Sequence, residues 1–150
     1  MHHPQSDPET ARALALAGEL RALLGKLNRK LREQAPPGEF TSSQLAVLGR
    51  LDREGPATVT VLARAEGVRP QSMGATVSIL QAAGLVSGAP NPADGRQTIL
   101  SLTDPCREWI TAGRAARKDW LFRAIRTKLA PAEQDDLAAA VDLLTRLVEP

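Results

Sequence analysis

Gln71, Ser72 and Thr76 bring one amide and two hydroxyls to a short stretch of chain, and in a second stretch Asp94 sets a carboxylate two residues before the guanidinium of Arg96. None of these groups is equipped to attack a carbon or shuttle a proton; together they are equipped to hydrogen-bond. A glutamine amide matches the donor and acceptor on an adenine edge. A threonine offers its methyl to a thymine methyl or its hydroxyl to a phosphate, and a guanidinium suits a phosphate or a narrow minor groove. Arg69 and Pro70 open the first stretch, where the free amides of a helix start would add a positive dipole end beside a phosphate. Asp94 is placed to hold the Arg96 guanidinium in a bidentate pair. The plainer readings are a solvated helix face and a hairpin turn tied to itself.

Catalysis is excluded on inventory. The only histidines are His2 and His3, there is no tyrosine, no Gly-rich phosphate loop precedes a helix, and no group of His, Cys and carboxylates has metal-ligand spacing. No enzyme activity, cofactor or metal site is therefore expected.

For the hydrogen-bonding residues to act together, a helix and a hairpin must stand side by side. Pro70 suits a first helical position, and the helix it opens, Pro70 to Ala83, places Met73, Val77, Leu80 and Gly84 on one face. Gln71, Ser72, Ala75 and Ser78 fall on the opposite face, with Thr76 at its flank. Ahead of it, Thr58 caps a shorter helix with Leu62 and Ala63 inward, and Gly67 fits a left-handed stop. Further back, Thr41-Ser42-Ser43-Gln44 reads as a capping box opening a helix that carries Leu45, Leu48 and Leu51 inward and ends at Gly55-Pro56. After Gly84 the period changes: Leu85 to Ala89 and Gln97 to Leu102 read as strands joined by Pro90-Asn91-Pro92-Ala93-Asp94-Gly95.

Long helices flank this region. Residues 9–34 carry Leu20, Leu24, Leu27 and Leu31 on one stripe, stopped at Ala35-Pro36-Pro37-Gly38. Thr103 or Asp104 caps a helix from Pro105 to about Leu129 with Trp109, Gly113, Ala116 and Trp120 in line, and Pro131 starts a last helix with Leu137, Val141, Leu144 and Val148 as its buried face. The expected fold is mainly α with a small β-hairpin wing, a winged helix-turn-helix whose N- and C-terminal helices form a dimerisation region. So many leucines on the terminal helices of a 150-residue chain would leave a monomer with exposed apolar patches, which favours burial in a homodimer over an intramolecular core.

Bulk properties agree with one soluble domain. Aromatics are only 3% of residues, so the core must come from Leu, Ala and Val. The single Cys106 cannot close an intramolecular disulfide, and no apolar run approaches a membrane span, so a cytoplasmic protein without membrane partners is expected. Between Thr41 and Asp104, five arginines meet five carboxylates, so this region has no net charge and nonspecific affinity for nucleic acid should be modest.

The chain resembles the MarR family of bacterial transcriptional regulators from about Ala11 to Val148. The resemblance rests on Thr41-Ser42-Ser43-Gln44-Leu45-Ala46-Val47-Leu48, on Gly67-Val68-Arg69-Pro70-Gln71-Ser72-Met73, on Ala83-Gly84-Leu85-Val86, and on Asp94-Gly95-Arg96 followed by Leu100-Ser101-Leu102-Thr103. Met1 to Pro8 reads as a flexible tail, and the resemblance implies a single domain over 9–150, with dimerisation helices at 9–34 and 105–150 and a DNA-binding lobe at 41–104. It also implies a sequence-specific repressor that binds a pseudo-palindromic double-stranded DNA operator as a homodimer and is released by a small aromatic or anionic effector. Arg69, Pro70, Gln71, Ser72, Ala75, Thr76, Asp94 and Arg96 are the expected DNA-binding residues. Phe40 and Trp109 are candidates for lining an effector pocket, with core packing as the plainer reading. Oxidation-sensing members place their cysteine in the first helix, whereas Cys106 lies at the start of the fifth and reads as an ordinary small packing residue. The alternative function is a winged-helix module that binds another protein and has lost DNA binding; the balanced charge favours it and the wing arginine opposes it.

Overall fold

The structure, a computed structural model, describes residues 7–35 and 40–150. Most of the expected flexible tail, positions 1–6 with His2 and His3, lies outside the described residues, as do Pro36, Pro37 and Gly38 of the expected helix stop. In chain order the elements are α1 (Pro8–Gln34), α2 (Ser42–Glu54), β1 (Ala57–Thr58), α3 (Val59–Glu66), α4 (Pro70–Ala82), β2 (Val86–Pro90), β3 (Thr98–Leu102), α5 (Asp104–Lys128) and α6 (Pro131–Val148). The expected mainly helical fold with a hairpin is what forms. By contact it divides into two compact units, Pro37–Arg114 and Met1–Pro36 with Ala115–Pro150.

In the unit Pro37–Arg114 local chemistry sets the helix ends. Thr41 Oγ1 accepts from the Gln44 amide at 3.2 Å while Gln44 Oε1 accepts from the Thr41 amide at 2.9 Å, the reciprocal capping box that opens α2. Thr58 Oγ1 accepts from Val61 N–H at 3.3 Å to open α3. Gly67, at φ 66°, closes it: Val68 N–H reaches Ala63 O at 3.0 Å and Gly67 N–H reaches Arg64 O at 3.3 Å, the paired bonds of a Schellman stop. The same device ends α4. The helical period puts Gly84 on the buried face of that helix, but it lies beyond the helix at φ 76°, and the bonds from Gly84 N–H to Gln81 O and from Leu85 N–H to Leu80 O run around it.

The core of this unit draws one stripe from each element. Val47, Leu48 and Leu51 come from α2, Leu62 and Ala63 from α3, Met73, Val77 and Leu80 from α4, Val86, Leu100 and Leu102 from the strands, and Cys106 from α5. Leu45, expected to point inward, does not; it is 41% exposed. The inward stripe runs 44, 47, 48, 51, so the buried Gln44 of the capping box takes the place expected of Leu45. The sheet has a third strand that the sequence does not announce. β1 pairs antiparallel with β3 through Ala57↔Leu100 and Thr58↔Ile99, which makes the order β1-β3-β2 and leaves β2 on an edge, where its terminal Pro90 is tolerated.

In the other unit Asp7 caps α1 by accepting from Glu9 N–H, Pro8 fills its first turn, and Ala35 turns extended before Pro36, as a residue preceding proline does. Leu20, Leu27 and Leu31 are half-buried and Leu24 is 44% exposed. The buried face expected on α6 is uncovered in the single chain: Leu137, Val141, Leu144 and Val148 are 36% to 82% exposed, and no residue of that helix is buried. The apolar period is there, but among the described residues its face is left largely exposed. No described helix is long and apolar enough to cross a membrane.

Leu80 has no exposure and sits where α4 meets the core, whereas Val61 on α3 is 51% exposed. Leu80→Ala should lower unfolding free energy by about 2–5 kcal/mol, because the cavity adds to the lost burial. Val61→Ala should cost about 0.5 kcal/mol or less. Urea titrations followed by far-UV circular dichroism check the pair.

Candidate nucleic-acid interface

α3, the turn Gly67-Val68-Arg69 and α4 form a helix-turn-helix. With Met73, Val77 and Leu80 fixed inward, the opposite side of α4 is left to solvent. Arg69, Pro70, Gln71, Ser72 and Ala75 are exposed there and Thr76 is half-buried at the flank, as the helical period requires. Arg69 occupies the N-cap position in extended geometry, and its side chain does not cap the helix. No capping side chain therefore covers the amides of the first turn of α4, which face outward with the positive end of the dipole.

A groove of about 320 Å³ runs beside this surface. Ser42 and Ser43, in the first turn of α2, line it together with Ser72 and Thr76 of α4 and with Glu66 and Val68. In the sequence these two serines stand out only as part of a capping motif; in the fold they are surface hydroxyls of the lobe. The signal is present, since two successive hydroxyls open the helix ahead of the helix-turn-helix, but only packing shows which groove they line.

The wing is a stitched loop. Asn91 N–H donates to Gln97 O at 2.9 Å, Gln97 N–H to Asp94 O at 3.0 Å, and Ala93 N–H to Asn91 Oδ1 at 3.0 Å. The expected bidentate pair between Asp94 and the Arg96 guanidinium does not form. Asp94 Oδ1 instead accepts from the backbone N–H of Arg96 at 3.1 Å, the local turn that a short carboxylate makes most readily. Asp94 thus fixes the backbone that presents Arg96, and the exposed guanidinium has no carboxylate partner among the described residues.

The even charge count conceals an uneven distribution. Arg50 Nε donates to Glu66 at 2.7 Å and its Nη1 to Glu54 at 2.9 Å, and these carboxylates, Glu66 first, hold the Arg50 pKa above its ordinary value. Asp52 is bound by Arg114, and Asp104 by Arg107 at 3.1 Å. Four of the lobe's carboxylates are therefore engaged by three arginines of the same unit, while Arg53, Arg64, Arg69 and Arg96 are exposed and make no ion pair among the described residues.

A helix-turn-helix followed by a hairpin, with an uncovered second helix and exposed arginines at helix start and wing, defines the winged-helix class of DNA-binding proteins. Comparison with known proteins makes the class specific. The sequence model of the MarR family matches residues 39–97. An HTH-type transcriptional regulator of Mycobacterium tuberculosis is 39% identical over 134 residues, spanning 89% of this chain and 93% of its own. A crystal structure described as a transcriptional regulator protein from Pseudomonas aeruginosa shares 37% identity and superposes with a TM-score of 0.81 over 93% of this chain and 97% of its own. A Staphylococcus aureus MepR mutant bound to an oligodeoxyribonucleotide, 16% identical, shares the fold with a TM-score of 0.68 over 89% of this chain and 98% of its own. The chain belongs to the MarR family: it is a DNA-binding transcriptional regulator and not an enzyme.

Phe40 and Trp109 are brought together. Their ring centroids lie 5.9 Å apart at 66°, an edge-to-face contact, and both half-buried side chains pack against the core. Cys106 has no exposure, and its N–H donates to Thr103 Oγ1 at 3.3 Å as α5 begins. Burial pushes its thiol pKa up and Asp52 adds to that, while Arg107 opposes. A raised pKa keeps the folded state protonated where the unfolded chain has begun to ionise. The thiol's contribution is thus fully present below the ordinary thiol value, about 8.5, and is lost as pH rises through the folded value. Urea midpoints should fall more steeply above about pH 8.5 in the native sequence than in Cys106→Ala. Identical slopes would mean that burial does not govern this thiol.

Proposed function

We propose that the protein binds a pseudo-palindromic DNA operator as a homodimer, with α4 of each subunit in the major groove and the wing, led by Arg96, against the adjacent minor groove or phosphates. In this reading Gln71, Ser72, Ala75 and Thr76 face base edges, and Arg69, Pro70 and the amides behind them lie at a phosphate. Ser42 and Ser43 contact the backbone on the other side of the groove, where the helices preceding a recognition helix cross the strand. The observation that carries the reading is an uncovered α4 with an uncapped start beside a stitched wing whose guanidinium has no carboxylate partner among the described residues.

Dimerisation draws support from the apolar residues left in water by α1 and α6, among them Leu14, Leu23, Val141, Leu143 and Leu147, each more than half exposed. Repression, with release by a small aromatic or anionic effector, is the mode that family membership favours, and the aromatic pair Phe40 and Trp109 is where such an effector would be sought. The protein-binding alternative draws on the balanced charge of the lobe. With four of its carboxylates engaged by arginines of the same unit, that balance no longer argues against DNA.

The purified protein should retard a duplex taken from upstream of its own gene, with affinity falling as salt rises. Arg96→Ala should weaken binding by about 1–3 kcal/mol, roughly five- to 150-fold, across the salt range. A panel of aromatic acids added to the same gel tests release. If no duplex is retarded and Arg96→Ala changes nothing, the protein-binding module is the better account.

A further inference from the structure

Resting on the operator-binding reading above, the composition of α4 limits which bases it can read. From Pro70 to Ala82 the helix carries no charged residue. Guanine is read in the major groove chiefly by arginine or lysine at O6 and N7, and cytosine by a carboxylate at N4; α4 has neither. Its later hydroxyls are engaged by its own backbone, since Thr76 Oγ1 donates to Ser72 O at 3.1 Å and Ser78 Oγ to Gly74 O at 2.9 Å. Its second amide is turned to the sheet: a Cβ on Gly88 of β2 would lie 3.3 Å from Gln81 Nε2.

What remains facing out is the Gln71 amide, the Ser72 hydroxyl and apolar groups on Ala75 and Ile79, with the half-buried Thr76 methyl at the flank. Ile79 is 52% exposed and stands one helical turn beyond Ala75 and two beyond Ser72, on the same side. The major-groove face of the four bases offers one large apolar group, the thymine C5 methyl. We propose that α4 reads A·T pairs, with Gln71 bonded to an adenine edge and Ala75, Thr76 and Ile79 packed on thymine methyls, and that Ile79 is a specificity-determining residue. Arg69, outside the helix at its N-cap, goes to phosphate.

Selection of binding duplexes from a randomised library by the full-length protein tests this, since the selection requires no known operator. The positions opposite α4 should come out as A·T pairs, and replacing a contacted thymine by uracil should weaken binding by about fourfold per lost methyl. Ile79→Ala, at an exposed position, should leave the circular dichroism spectrum unchanged and bind the thymine and uracil duplexes equally well at its position; Gln71→Ala should relax the preference for adenine. Enrichment of G·C pairs opposite α4 with lost binding on 7-deazaguanine substitution, or indifference to uracil, would overturn the base assignment and leave operator binding standing. Failure to enrich any duplex would overturn both.

Discussion

The anchoring of α4 by a single stripe is the constraint on which the rest depends. Met73, Val77 and Leu80 enter a core shared with α2, α3 and the strands, and each burial contributes about 1.5–3 kcal/mol. Positions 73, 77 and 80 fix the rotation of the helix about its axis. Once they are in, Gln71, Ala75 and their neighbours have to face outward. The ends are fixed as firmly, by Pro70 at the start and by the left-handed Gly84 beyond the last turn. A surface that must meet the edges of base pairs is thus held from behind, and its own residues need make no structural contribution.

Electrostatics follows the same division between what is held and what is offered. Arg50 reaches from α2 to Glu66 at the end of α3, so an ion pair braces the start of the turn that leads into α4. Arg114 does the same between α5 and Asp52 of α2. These bridges occupy carboxylates that would otherwise stand free, leaving Asp94 of the wing on a backbone amide, and the arginines without such partners are exposed. Net charge over the lobe is therefore a poor guide to the field a duplex would meet.

Much of this is legible in the sequence wherever the determinant is local. Thr41 with Gln44, Thr58, Gly67 and Pro70 act on backbone groups within a few residues, so their positions set the helix ends without reference to the rest of the chain. The outward placement of Gln71, Ser72 and Ala75 follows from period alone. What escapes depends on partners far along the chain or on a choice among nearby acceptors. β1 has two residues, too few to show a period, and exists because β3 runs past it some forty positions later. Asp94 has both a guanidinium and an amide within reach, and the amide demands no long side chain to be ordered. The face of α6 shows its apolar period plainly, but period alone does not tell whether a face is covered, and this one is exposed. The groove between Ser42, Ser43 and α4 can be seen only once the helices are packed.

The central claim is that the exposed side of α4, the wing and the first turn of α2 form one surface for DNA. Amide chemical shifts of the labelled protein, titrated with a duplex from upstream of its gene, test it most directly. The account predicts shifts concentrated at Ser42, Ser43 and the non-proline residues of 69–76 and 91–97. A duplex that binds while leaving those amides unmoved and shifts others instead would contradict it.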